Sequence, residues 1–293
     1  MLLTSTNINP LPFYTSLDDK WQYRRYADKH DIFCPTDRII PFQLIINEYT
    51  EYMYLAYKVW LYDAATNTEV KLLSSNTDYT PNVKKYTGYW VVTISDIASD
   101  GLMEAGKYYY LKFAVQPLPD DTTLSDVWYS DDFQANSRTG EMCRLDYYNE
   151  RDVAIGDYTI SGGTSTNRFI FRYYIPHELG KPEYPFFTRI SERNNVEYPL
   201  TMRSQKKFRV PITATEVQID ALRLSVVSDK VALTCNGKTY KIWMIEWTEI
   251  EWRGDGIGVF DCLFTTNEIL NNSFQATPTR GDFNDDFNDD FSI

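Results

Sequence analysis

Histidine is nearly absent from this 293-residue chain: His30 and His177 are the two copies, and neither stands in a serine or cysteine nucleophile motif. Both read as surface or interface residues, and no catalytic residue is nominated. Cysteine is sparse as well. Cys34, Cys143, Cys235 and Cys262 lie far apart with no CxxC pair, so metal-ligand spacing is missing and neither a metal nor a cofactor is expected. The thiols read instead as small buried hydrophobes of a protein made in a reducing cytoplasm. No stretch reaches the roughly eighteen apolar residues of a membrane span. The start, MLLTSTNINPLPFY, has no basic segment ahead of an apolar run, so neither membrane insertion nor a secretory leader is expected. Positive charge is in deficit too. Lys and Arg number 29 against 41 Asp and Glu, a net −12, and such a chain has no electrostatic footprint for nucleic acid. The local exception, RSQKKFR (203–209), fits a strand edge with solvated lysines better than a phosphate groove, because Phe208 and the following VPI are apolar.

Aromatic residues are abundant. The 23 Tyr and 7 Trp suit surfaces that are half apolar and half wet, as recognition and assembly surfaces are, although β-rich proteins also place aromatics on pleated faces. The length suggests two domains of roughly 130 residues. Period-two alternation dominates the first half. In YMYLAYKVWLYD (52–63) both alternating sets are largely apolar, which predicts a strand covered on both sides. YWVVTI (89–94), KYYYLKFAV (107–115) and VWYSDDF (127–133) repeat the signal, and the Asn, Asp, Gly and Pro clusters between them read as turns.

The expected architecture is therefore mainly β, with two tandem antiparallel domains. The first, 41–138, reads as an immunoglobulin- or fibronectin-like sandwich. The second, 139–270, reads as β-rich with one short helix near 213–226, where Thr213 and Glu216 have capping-box spacing. KVALTCNGKTYKIWMIEW predicts a hairpin about Asn236-Gly237, since both residues tolerate positive φ. Residues 1–40, rich in Pro and aromatics but without a sustained period, read as an extended arm. Residues 271–293 form an acidic tail.

Three constellations invite a chemical reading. Glu246, Glu249, Glu251 and Asp255 surround Trp247 and Trp252, yet acids from one strand do not face each other across a sugar as glycoside hydrolysis requires. They read as a charged strand face that discourages edge pairing. The acidic DFNDDFNDDF lacks the alternate acids, the central Gly and the distant Glu of a calcium loop. Five of its residues are Asp, and Phe283, Phe287 and Phe291 recur every fourth position. Three aromatic anchors on a self-repelling stalk resemble a short linear peptide that docks on a partner and orders on binding.

PTDRIIPFQL after an aromatic arm, YYLKFAV and VWYSDDF, the hairpin NGKTYKIWMIEWTEIEW and the ending DFNDDFNDDFSI together resemble tail or baseplate structural proteins of phages and prophages of Bacteroidota. The resemblance covers most of the chain. It implies a non-enzymatic virion component, located in the tail, whose partners are other virion proteins and copies of itself. On this reading Phe13, Tyr14, Trp21, Tyr23 and Tyr26 anchor the arm, and Phe283, Phe287 and Phe291 anchor the tail. The alternative is a glycan-binding adhesion or receptor-binding module that meets a host surface glycan through Trp128, Tyr129, Trp247 and Trp252. A glycan-cleaving enzyme is a third reading; it would need two carboxylates facing each other across a groove.

Overall fold

The computed structural model describes residues 8–24, 32–47, 56–76, 83–95, 97–116, 126–155, 158–162, 168–193, 196–253 and 256–273. The fold is mainly β with two helices among these residues. The first half contains β1 (Phe13–Tyr14), α1 (Leu17–Arg24), β2 (Ile32–Pro35), β3 (Phe42–Asn47), β4 (Ala56–Asp63), β5 (Thr68–Asn76), β6 (Val83–Tyr86), β7 (Tyr89–Ile94), β8 (Tyr108–Gln116), β9 (Asp126–Ser130) and β10 (Phe133–Asn136). The second half contains β11 (Cys143–Tyr148), β12 (Val153–Ile155), β13 (Tyr158–Ile160), β14 (Phe171–Ile175), β15 (Phe186–Arg193), β16 (Val196–Thr215), α2 (Glu216–Val226), β17 (Lys230–Cys235), β18 (Lys238–Trp247), β19 (Glu251–Trp252) and β20 (Ile257–Ser273).

A seven-stranded sheet is built around β8. β4 lies along one edge of β8 with β5 beyond it, and β9 and β10 share the other edge. A three-stranded sheet runs β3-β7-β6, and an eight-stranded sheet runs β14-β11-β17-β18-β20-β16-β15, with β19 beside β20. One pairing departs from the expected antiparallel pattern: β2 joins β10 in parallel, Ile32 opposite Phe133.

The three-stranded sheet is the middle layer. Register pairs Phe42 with Ile94, Leu44 with Val92 and Ile46 with Trp90, and all six belong to the core shared with the seven-stranded sheet. The opposite face presents Ile45, Val91 and Tyr89 to a second core, built with the eight-stranded sheet and α2. Gln43 sits on that second face, fully buried. Its amide donates to Ser161 O at 2.6 Å and accepts from Ser161 N at 3.2 Å, while the Asn9 side chain bonds both polar groups of its backbone. Asn9 thus acts as a one-residue strand on the open edge of β3, and no buried amide of this network is left without a partner.

Two expectations are corrected here. The described residues of the expected arm, 8–24 and 32–40, do not reach outward as an extended arm. Leu11, Phe13, Ile32, Cys34, Ile39 and Ile40 fill the first core, β1 and β2 pair with β9 and β10, and Lys20 of α1 forms a buried ion pair with Asp132 at 2.5 Å. The Lys20 ammonium also lies 3.6 Å from the Tyr110 ring centroid. Secondly, β4 is covered on one face only: Tyr57, Val59 and Leu61 are buried, whereas Lys58, Trp60 and Tyr62 are half-buried on the other side. There Lys112 lies over the Trp60 and Tyr62 rings, which explains an aromatic strand face without a second layer. β3 and β7 are buried on both faces, as is β14.

The hairpin about Asn236-Gly237 forms with φ of 50° and 73°. The helix is present but starts later than its capping signal suggested. Thr213 still pairs with Val259 in β16, and the capping box belongs to Thr215 and Gln218.

Candidate assembly surface

β16 and β20 are twenty and seventeen residues long, far longer than the core beneath them. Along β16 the inward residues Phe208, Val210, Ile212 and Ala214 are buried, three of them against α2 and its neighbours. Pro211 is tolerated because this part of β16 has a ladder partner, β20, on one side only. The inner core stops at Lys206. Its ammonium lies over the Phe208 and Tyr240 rings, 5.4 and 5.0 Å from their centroids, and 3.4 Å from Glu268.

Beyond Lys206 the strands continue as a ribbon of β15, β16 and the end of β20. Phe186 stands opposite Ser204, Thr188 opposite Met202, and Thr201 opposite Ser273. Strand alternation places Phe186, Ile190 and Met202 on the continuation of the inner face, where they are 71%, 52% and 42% exposed. The inner face therefore outruns its covering layer. β15 is also the terminal strand of the sheet, so among the described residues its outer backbone edge is open, a feature that proteins ordinarily keep short or covered.

The outer face of the ribbon differs. Phe187, half exposed, pairs with Arg203, and the Arg203 guanidinium lies 5.4 Å from the centroid of the equally exposed Trp243 ring. The Gln205 amide, with its oxygen toward Arg203, accepts from Nε at 3.2 Å and from Nη2 at 2.6 Å. Arg189 shares this face. The cations nearer the body are already matched: Lys207 with Glu246 at 2.9 Å, and Arg209 with Asp261 at 3.3 Å.

The residues singled out from sequence are dispersed. Phe13 and Tyr14, expected as partner anchors, are buried in the chain's own fold, because β1 lies against β9 and the Phe13 ring packs tilted against Phe42 with centroids 4.6 Å apart. Trp21 and Tyr23 lie on α1, their side chains outside the described residues, as are Tyr26, Phe283, Phe287 and Phe291 altogether. Among the proposed glycan platforms, Trp128 is buried against Phe113, with 4% of its surface exposed. Tyr129 borders an open groove of about 460 Å³ between β9 and the start of α1. Trp247 packs on Phe260 with centroids 4.9 Å apart, and Trp252 alone of the four is more than half exposed. The first two stand on the seven-stranded sheet and the others on the eight-stranded one, so they form no common site.

Of the acids around Trp247 and Trp252, Glu246 is held by Lys207, Thr248 to Ile250 leave the strand before β19, and Asp255 lies outside the described residues. Burial, with Cys235 beside it, pushes the Cys143 thiol well up, and burial does the same to Cys262, which disfavours the thiolate a nucleophile requires. Among the described residues no three His, Cys, Asp or Glu side chains gather as a metal site. The ribbon was not anticipated from sequence. Its signal was YPFFTRISER (184–193), in which adjacent phenylalanines must occupy opposite faces of a strand. Comparison of the chain with protein-family models, curated proteins and solved structures found no match.

Proposed function

We propose that this chain is a non-enzymatic structural subunit of a multi-copy assembly, of the phage tail or baseplate kind its sequence resembles, in which the inner face of the ribbon is covered by a neighbouring copy. The observation that carries the reading is the set Phe186, Ile190 and Met202, exposed on a face that elsewhere in the same sheet is core. Contiguous apolar surface on a projecting, open-edged strand marks an interaction site. Burying each such side chain is worth about 1.5 to 3 kcal/mol, and the open edge of β15 supplies main-chain donors and acceptors for a strand of the neighbour.

Light scattering across a concentration series tests the reading. The wild-type chain is expected to gain mass with concentration, and a Phe186→Ser, Ile190→Ser double variant to remain monomeric with unchanged thermal stability. A wild-type chain that stays monomeric, or a variant that associates as readily, would remove the ribbon from the assembly role. The glycan-binding reading has less support, since two of its four rings are packed into the fold.

A further inference from the structure

The outer face of the ribbon is a cationic and aromatic surface without its complement. Among the described residues Arg189 and Arg203 have no carboxylate within ion-pair distance, although every lysine and arginine just below them on β16 has one. Arg203 is nevertheless held in place, between the Trp243 ring and the buried Gln205 amide. A positioned guanidinium flanked by exposed rings is pre-organised for a ligand that carries carboxylates and aromatics together.

The chain itself encodes such a ligand. Segment 281–293 reads GDFNDDFNDDFSI, with Phe and Asp repeating every four residues and no base. In an extended conformation a four-residue repeat puts Phe283, Phe287 and Phe291 on one face about 13 Å apart, with Asp285 and Asp289 between them on that face. Phe187 on β15 and Trp243 on β18 are three strand positions apart in the order β15-β16-β20-β18 and are offset along the strands as well, Phe187 at the level of Asn271 on β20 and Trp243 near Thr265, with the Arg203 side chain reaching from the first level to the second ring. The charge patterns are complementary, aspartates against arginines, and both partners carry exposed rings. Reach is sufficient as well: β20 ends at Ser273, opposite Thr201 and two positions from Arg203 on β16, and the seven residues 274–280 span up to about 24 Å when extended.

We infer that segment 281–293 docks on the outer face of its own ribbon, its phenylalanines on Phe187 and Trp243 and its aspartates on Arg203 and Arg189. A tether this short holds the segment at an effective concentration of about millimolar, so modest contacts suffice. The inner face stays free in this arrangement, and the inference stands apart from the assembly reading.

The test uses full-length chains and a fluorescein-labelled peptide of sequence 281–293, followed by anisotropy. A full-length variant with Phe283, Phe287 and Phe291 all changed to Ser should bind the peptide, about tenfold more weakly in 0.5 M than in 0.05 M salt because the exposed charges are then screened. The wild-type chain should bind it at least tenfold more weakly than that variant, its own segment occupying the site. Adding Arg189→Gln and Arg203→Gln to the serine variant should abolish binding while leaving its melting temperature unchanged. No binding to the serine variant, equal binding to wild type, or indifference to the arginine substitutions would overturn the inference. So would a wild-type mass that rises with concentration and falls back when only the three phenylalanines are replaced, since the segment would then serve another copy.

Discussion

The middle sheet and the ribbon carry the same kind of strand in opposite settings. In β3 and β7 both faces are apolar and both are buried, one under the seven-stranded sheet and the other under the eight-stranded sheet. In β15 both faces again bear large apolar side chains, Phe186 and Ile190 on one and Phe187 on the other, and both are exposed. A two-sided apolar strand is stable only where something covers it. The described residues supply both covers for the middle sheet and neither for the ribbon, and that difference is the reason for assigning the ribbon to binding.

The contrast can be broken most strongly at its buried end. Trp90→Ala removes a fully buried ring from the middle sheet and should cost about 3 to 5 kcal/mol of unfolding free energy, read as a lower midpoint in a urea titration. Gln43→Ala should cost about 2 kcal/mol, because the Ser161 amide and carbonyl then stay buried without partners. A near-neutral result at either position would mean that the middle layer is less enclosed than described.

A smaller effect is expected where the middle sheet is tied to the second half from outside. Burial alone would raise the Asp152 carboxyl. The Tyr86 hydroxyl at 2.6 Å, Lys84 at 2.9 Å and the Gly162 amide at 3.0 Å outweigh that and hold it below the usual carboxylate range. A depressed folded-state pKa gives stability that is present above the unfolded pKa and lost as pH falls through the folded one. Asp152→Asn should therefore cost only about 0.5 kcal/mol at pH 7, because solvent screens this exposed carboxylate, a difference that disappears in acid below the Asp152 titration, when stability is compared across pH. The smallest effect belongs to the ribbon: Phe186→Ser should change monomer stability by less than about 0.5 kcal/mol. A large loss there would place Phe186 in a core and dissolve the comparison.

Local chemistry made part of this legible in advance. Asn236-Gly237 announced its hairpin because few other pairs accept two positive φ values, and β7 and β8 declared themselves by apolar runs bounded by turns. The capping signal misplaced the helix start because threonine is an N-cap type at both 213 and 215, and the ladder to β20, which runs on through Thr213–Val259 to Thr215–Ile257, left only Thr215 at the helix start. The N-terminal segment was misread for a related reason. β1 and β2 are two and four residues long, too short for a period, and their partners lie about a hundred residues away. The ribbon was missed because its apolar residues follow strand alternation while remaining in solvent, and no local pattern distinguishes an exposed face from a buried one.

Hydrogen exchange of the full-length chain, measured dilute and concentrated, tests the central claim most directly. Amides of β15 should exchange fast in dilute solution and become protected as concentration rises, while those of β3 and β7 stay protected throughout. Exchange in β15 that is slow when dilute, or that ignores concentration, would contradict a ribbon built to be covered by a neighbour.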